Sequence, residues 1–593
     1  MNKPLSNLAM KDRRKIFNAV AKKVMLDGSP SRLKLCFKHG MDTQKIVQNF
    51  LMSIWMYVRL ELDHTFRADD KDVVAMVNQI HSIVTYELSL GKIDERERLT
   101  SSTPIRLEGE FRPRVIRAAW MEPRRNTAAA MQALSNVQYK LDERMIELVL
   151  SIREGFDNPQ DAQDFCSIVN LTEWDHIGSS EFSIPFTCCD KRMRIIADTR
   201  GAVSPTYGPC ERGSTGFAEK RRVTDAHITR HFDWMVSEFK IKGNPELWVD
   251  DILGNERKFI LEGGKPLAVS AAWESVNMMK TRESSYIVYA DADASMLHHA
   301  LLMMGVPEEL FMRWTNTARR AYVHAHIKLG EQLRNADIHT FRNVDMALII
   351  KLAKGVGTVG GYGGGNTAMV SNWSKMSYLG KKAGWHLGDT ENPKKPEIPA
   401  ALAHMLEGIE DPSEQMTLMV KLAKKYPQVV RQWCPELSEF NKRRRMLHEE
   451  SMEATGLPTP LVSYDGHVCQ LPPFREDKSP FTMTTRIHYT NKDAEGNVVN
   501  KADTHLTTWK YTEDEKGTGG AANAAHHADA CTIAGTAVDE EHGLLAKGIT
   551  DFVLIHDAVG TRVQDIDRVN PCYSAALQKT HGVEFNEKFE GLT

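Results

Sequence analysis

Two short apolar runs in the chain each finish in a carboxylate. YIVYA, residues 286 to 290, leads into Asp291, with Asp293 two positions on, and FVLIHD, residues 552 to 557, ends in His556 and Asp557. Aspartates at the ends of neighbouring strands can converge on two Mg²⁺ ions about 3.5 to 4 Å apart, an arrangement suited to phosphoryl transfer. One ion lowers the pKa of an attacking hydroxyl; the other holds a triphosphate and stabilises the departing pyrophosphate. Taken singly, each aspartate reads equally well as a helix N-cap or a turn residue. A second constellation is Lys351, Lys354, Thr358 and Tyr362 followed by Gly363, whose steps of three and four fall on one stripe of a helix. Lysines on such a stripe can grip a triphosphate as point charges, and an aromatic at its far end can stack beneath a base or test the sugar. Glycines at 355, 357, 360, 361, 363, 364 and 365 weaken that helix, each by about 0.8 to 1 kcal/mol relative to alanine, so it is expected to bend or pivot. A flexible Gly-rich loop is the plainer alternative, but a G-x-x-x-x-G-K-[ST] phosphate loop is not present.

The elements that must carry these residues can be read from hydrophobic period. Residues 1 to about 155 read as mostly helical, with Leu134, Val137, Leu141, Met145, Leu148 and Ile152 at helical steps. From 182 the texture turns to extended runs, FSIPF and RIIAD, separated by GAVSPTYGPC, whose Gly and Pro residues impose turns. The run at 286 to 290 reads as a strand and ASMLHHALLMMG after it as a helix. Residues 340 to 450 are helical again, interrupted by GGYGGGNT and by a polar loop at 380 to 396. Alternating apolar and polar positions over 481 to 512, around NKDAEGN, predict a long β-hairpin.

At 593 residues the chain exceeds what one core sustains, so several lobes are expected. Hydrophobic residues at 42% and charged residues at 26% describe a globular protein with enough apolar matter for a sizeable core. No apolar run is long enough to span a membrane, and the opening MNKPLSNLAMKDRRKIF lacks a secretory apolar run, so a cytoplasmic location is expected. The nine cysteines show no C-x-x-C pair and read as reduced thiols. A net charge of −3 leaves local basic clusters to decide polyanion binding: the N-terminus, Arg112 to Arg125, Lys220 to Arg222, and Lys442 to Arg445. Each cluster alone reads more readily as a solvated face.

Beyond these readings, the order of motifs from 134 to 565 resembles that of the single-subunit RNA polymerases of bacteriophages and mitochondria. VQYKLDERMIELV resembles the helix closing that family's N-terminal domain, and IPFTCCDKRMRIIA resembles the strand that opens its palm. YADADASMLHHALLM resembles the first catalytic motif and FVLIHDAVGT the second; Lys354 with Tyr362-Gly363 resembles the fingers helix, and Asn523, His526 and Asp529 the N-x-x-H-x-x-D element. The resemblance implies an α+β right-hand polymerase with palm, fingers and a reduced thumb. In that reading 1–155 is a reduced helical N-terminal domain, 156–180 a connector or vestigial thumb, 181–305 palm, 306–520 fingers including the 481–512 hairpin, and 521–593 palm.

The implied activity is DNA-directed RNA synthesis with two Mg²⁺ held by Asp291 and Asp557. Lys354 would contact phosphate, Lys351 and Gly363 would help bind the nucleotide, Tyr362 would discriminate the ribose, and His526 would meet the nascent pair. Arg192, Arg194 and His556 would contact template or RNA. The implied partners are a DNA template, nascent RNA and ribonucleoside triphosphates, with no membrane. Counting back from His299 selects Asp291 as the metal ligand, whereas a D-x-S pattern selects Asp293. Where the family carries an arginine four residues before the fingers lysine, this chain has Ile350, with Lys351 as the candidate substitute. About 180 residues precede the palm and fewer than thirty separate it from the helix at 134 to 152, so an accessory protein or single-stranded DNA is expected to assist initiation. The alternatives are a primase or DNA polymerase of the same superfamily, and a degenerate subunit that binds nucleic acid without catalysis.

Overall fold

The computed structural model describes residues 125–157, 215–262, 264–292, 294–318, 322–374, 398–455, 458–464, 519–555 and 557–589, with the backbone of short strands elsewhere. Nearly all of the expected N-terminal lobe before residue 125, most of the connector at 156–180 and the polar loop at 380–396 lie outside the described residues. The chain divides into two compact units.

The first unit comprises Met1–Asp291, Met483–Thr508 and Ala530–Ala576. Its described elements begin with helix α1, Arg125–Ser135, strand β1, Gln138–Leu141, and helix α2, Glu143–Glu154. Strands β2, Glu181–Ser183, and β3, Thr215–Arg222, precede helices α3, Asp225–Phe239, and α4, Pro266–Thr281. Strand β4, Glu283–Asp291, and the hairpin of β5, Phe552–Ile555, with β6, Ala558–Arg562, complete a six-stranded sheet. Its order is β5-β6-β4-β3-β1-β2, and every neighbouring pair is antiparallel.

The single helix expected across 134 to 152 is instead helix, strand, helix. Val137 and Tyr139 are buried while Gln138 and Lys140 are exposed, the period of two that a sheet imposes. Val137 and Leu141 are four apart, a spacing that fits one helical face and one strand face alike, which is why the helical period misled. The helical period holds only from Asp142, whose side chain caps α2 by accepting from the Met145 N–H, and Met145, Val149 and Ile152 are buried. Tyr139 reaches across the sheet, its hydroxyl donating to the Phe552 carbonyl at 3.1 Å.

Strand β4 is buried from Tyr286 to Ala290, and this apolar run makes it a central strand. Helices α3 and α4 join its core through Trp234, Met235, Leu267, Val269 and Ala272. The Trp234 indole donates to the Tyr289 carbonyl at 2.8 Å. On β6, a methyl added at Gly560 would stand 2.8 Å from both Ile287 Cγ2 and Tyr289 Cε1, so a glycine is what lets β6 lie against β4.

The second unit comprises Ala292–Thr482, Trp509–Asp529 and Leu577–Thr593. It is built on helices α5, Ser295–Met304, α6, Glu308–Thr315, α7, His324–Ala336, α8, Met346–Gly361, α9, Tyr426–Trp433, and α10, Pro435–Thr455. The first half of α11, Gly520–Val538, belongs to it as well. Helix α8 packs on α7 and α9, and the Trp433 indole on α9 donates to the Ala325 carbonyl at 2.8 Å. One uninterrupted helix runs through Gly355, Gly357 and Gly360. Its glycines are contact points. A methyl at Gly357 would stand 3.0 Å from Leu329 Cδ2, and one at Gly360 would stand 2.9 Å from both γ-methyls of Val430 and from Met369 Cε. At Gly361 a methyl would collide with the Met296 side chain. Neighbouring helices approach closely enough to offset the propensity lost at each glycine.

Over the expected hairpin, Met483–Lys492 pairs antiparallel with Val498–Thr508, with Arg486 opposite His505 and Thr490 opposite Lys501. Its turn, 493–497, lies outside the described residues.

Candidate active site

The end of β4 and the β5–β6 hairpin determine where the two aspartates stand. Asp291, the last residue of β4, pairs with Ala558, and Ile555 pairs with the same Ala558 across the hairpin. Asp557 therefore lies in the short turn between the two strands and adjoins the residue directly opposite Asp291. Opposed residues of antiparallel strands have Cα atoms about 4.5 to 5.5 Å apart, and one step along the chain adds at most about 3.8 Å, so the Asp291 and Asp557 Cα atoms lie within about 9 Å of each other. Both side chains are intermediate in exposure, after five buried residues on β4 and at least three on β5. The apolar strands push their terminal carboxylates to the sheet's rim, where a hydrated ion has access.

Two half-exposed carboxylates offer hard oxygen donors, the class Mg²⁺ takes, and Mg²⁺ usually completes its shell with phosphate and water. Asp291 and Asp557 fit such a group. Among the described residues no set of three or more His, Cys, Asp or Glu side chains forms a ready-made cage, and a site completed by substrate does not require one. Asp293, His556, Arg192 and Arg194 lie outside the described residues.

The second constellation is assembled within the second unit. Lys351, Lys354 and Thr358 are exposed on one side of α8, while Ile349, Ile350, Leu352, Ala353 and Val356 are buried on the other. Ile350 packs against α7, with its Cγ1 3.1 Å from where a methyl on Gly330 would stand. A guanidinium at position 350 would be buried there, so the exposed cationic stripe begins one residue later, at Lys351. The Thr358 hydroxyl turns back onto the Lys354 carbonyl at 2.8 Å.

The helix ends in a left-handed cap. Gly363 has φ +78 and its N–H reaches the Gly360 carbonyl, and the Gly364 N–H reaches Val359. A side chain at Gly363 would also meet Arg445 and Asn441 of α10, 3.1 and 3.2 Å from its first carbon. Asn441 donates to the Gly361 carbonyl and to Leu437, tying this end of α8 to α10.

The cap presents Tyr362 to α11. Its hydroxyl lies 3.1 Å from His526 Nε2, and the two rings meet edge to face at 5.2 Å. One turn on, Asp529 approaches His299 of α5, Oδ1 to Nε2 at 3.5 Å, and His299 Nδ1 hydrogen-bonds His581 Nε2 at 2.9 Å. Burial holds both imidazoles down at about 3, with His299 adding to the effect at His581, so the pair is neutral near pH 7.

The structure thus brings Asp291 and Asp557 together in one unit, and Lys351, Lys354, Tyr362, Gly363 and His526 together in the other. Sequence reasoning missed Asn441, Arg445 and His581; only Arg445 carried a signal, as part of the basic run at 442 to 445. Compared with protein-family models and with curated proteins, the chain matches none.

Proposed function

We propose that this chain is a DNA-directed RNA polymerase that adds ribonucleotides to an RNA 3′ end, with a DNA strand as template. The observation that carries the reading is the register that sets Asp557, in a hairpin turn, beside Asp291 at the end of the adjacent central strand. Asp291 and Asp557 would hold Mg²⁺, which when bound supplies activation of the 3′-hydroxyl and charge stabilisation on the triphosphate. Lys351 and Lys354 bind phosphate from the exposed face of α8. Lysine suits this role as a compact charge on a flexible stem, able to follow the phosphates as they move.

Tyr362 sits about 12 Å from Lys354 along the helix axis, at 1.5 Å per residue. That is far enough to place its ring at the sugar and base when the lysine holds the phosphates. The hydrogen bond to His526 fixes the Tyr362 hydroxyl, and a fixed polar group can distinguish a ribose 2′-hydroxyl from its absence. A site built this way selects the sugar by hydrogen bonding as well as by shape.

The test is primer extension with the purified chain, Mg²⁺, and an RNA primer annealed to a DNA template, which bypasses promoter recognition. Ribonucleotide addition by the wild type that falls by at least a thousandfold in Asp557→Ala is the expected result. No extension by the wild type with ribo- or deoxyribonucleotides would overturn the reading in favour of a non-catalytic nucleic-acid-binding subunit.

A further inference from the structure

The basic run on α10 stands at the tyrosine end of α8. Lys442, Arg443 and Arg445 are exposed and Arg444 is half-buried. Glu439 and Glu449 stand one helical turn from Arg443 and Arg445, the spacing at which ion pairs commonly form, yet none of the four basic residues is ion-paired among the described residues. The Arg444 Nε is enclosed without a hydrogen-bond partner. Burial and the neighbouring Arg443 both work against its charge. The Arg445 guanidinium lies 3.1 Å from where a side chain on Gly363 would begin, so the bare glycine keeps that place open beside Tyr362. The α10 backbone at Arg444 comes 3.5 Å from where a side chain on Gly520 would begin, at the N-terminus of α11, the end of a helix that carries partial positive charge. The Gly361 carbonyl at the opposing end of α8 is already engaged by Asn441.

We propose that Arg444 and Arg445, with Lys442 on the same face of α10, form a binding site for the phosphodiester backbone of a single nucleic-acid strand passing the tyrosine end of α8. These charges make no ion pair among the described residues, and that of Arg444 is partly desolvated, a condition in which a guanidinium gains from a phosphate. A nucleotide's own triphosphate fits the site less well. If Lys354 holds it, the arginines lie about 12 Å further along α8, beyond the sugar. The base end is where a pairing strand would run. The inference rests on the polymerase reading only in calling that strand the template; the binding itself does not depend on catalysis.

The experiment measures binding of a fluorescent oligothymidylate to the full chain by anisotropy across a range of NaCl concentrations. Each phosphate contact on a single strand contributes about 0.7 to the slope of log affinity against log salt. The Lys442→Gln/Arg445→Gln double variant should show a slope shallower by about 1.4, and an affinity about 25-fold lower at 0.1 M salt. Arg445→Lys, which keeps the charge, should retain the wild-type slope. Lys425→Gln/Arg431→Gln, an equal loss of two charges at other exposed positions of the second unit, should bind as the wild type does. In extension assays at saturating template the double glutamine variant should keep its KM for ribonucleoside triphosphate. An unchanged slope, or an equal loss in Lys425→Gln/Arg431→Gln, would overturn the proposal. A raised nucleotide KM with unaltered oligonucleotide binding would also overturn it, assigning the arginines to the triphosphate. If the wild type extends no primer, the binding arm still decides this inference on its own.

Discussion

Removing the hydrogen bond between Tyr362 and His526 isolates a polar contact suited to sugar selection. In the free protein the hydroxyl and His526 Nε2 are 3.1 Å apart, and a neutral hydrogen bond of this kind contributes a net ~0.5 to 1.5 kcal/mol. If that contact orients the tyrosine hydroxyl toward the ribose, His526→Ala loses the orientation but keeps the hydroxyl. Its preference for ribo- over deoxyribonucleotide should fall about fivefold, the equivalent of ~1 kcal/mol. Tyr362→Phe removes the hydroxyl itself and should cost more, about 10- to 100-fold, because the group that reads the 2′-hydroxyl is gone. The double variant should then match Tyr362→Phe, since a histidine cannot orient a hydroxyl that is absent. The coupling energy equals the whole effect of His526→Ala. Single-nucleotide extension on a primed template, comparing kcat/KM for the two sugars in all four proteins, measures it. Strict additivity, with the double variant a further fivefold worse, would refute the idea that His526 acts through Tyr362.

Two further predictions concern the scaffold. Gly360→Ala gains about 1 kcal/mol of helix propensity but sets a methyl 2.9 Å from both γ-methyls of Val430, which no single rotamer change relieves. Overpacking of about 1 to 3 kcal/mol should prevail, seen as faster hydrogen exchange along α8, whereas slower exchange would restore the hinge reading. Acid should weaken both units: burial lowers His231 in the first to about 4 and His299 in the second to about 3, from 6.5. The stability tied to each neutral imidazole is complete above pH 6.5 and is lost as pH falls toward the folded value, amounting to about 2 kcal/mol apiece at pH 5. Urea midpoints that do not move between pH 7.5 and 5 would show that these rings are not buried as described.

What could be read from the sequence followed the range of the interaction that fixes each residue. A strand over 286 to 290 was legible because five consecutive apolar residues need burial on both faces, and Asp291 was legible as its end because a carboxylate resists following them inside. The α8 stripe was legible for the same local reason: positions 351, 354 and 358 recur at the helical step. The same local logic failed where two periods coincide, as at Val137 and Leu141, and only the burial of Tyr139 between them tells strand from helix. It failed for the glycines of α8, because whether a glycine is a hinge or a contact depends on Val430, Met369 and Met296, which no local pattern brings near. Ile350 shows what this costs a functional reading. From the sequence it is a lost cation; in the structure it is a buried contact with α7, and the exposed charge begins at Lys351. The pairing that supports the proposed chemistry, Asp291 with Ala558, joins strands more than 250 residues apart. Local sequence can supply two strands that end in aspartate, but their juxtaposition is a property of the sheet. For this chain the register of β4 on β6 is therefore the step that turns two unremarkable carboxylates into a candidate site.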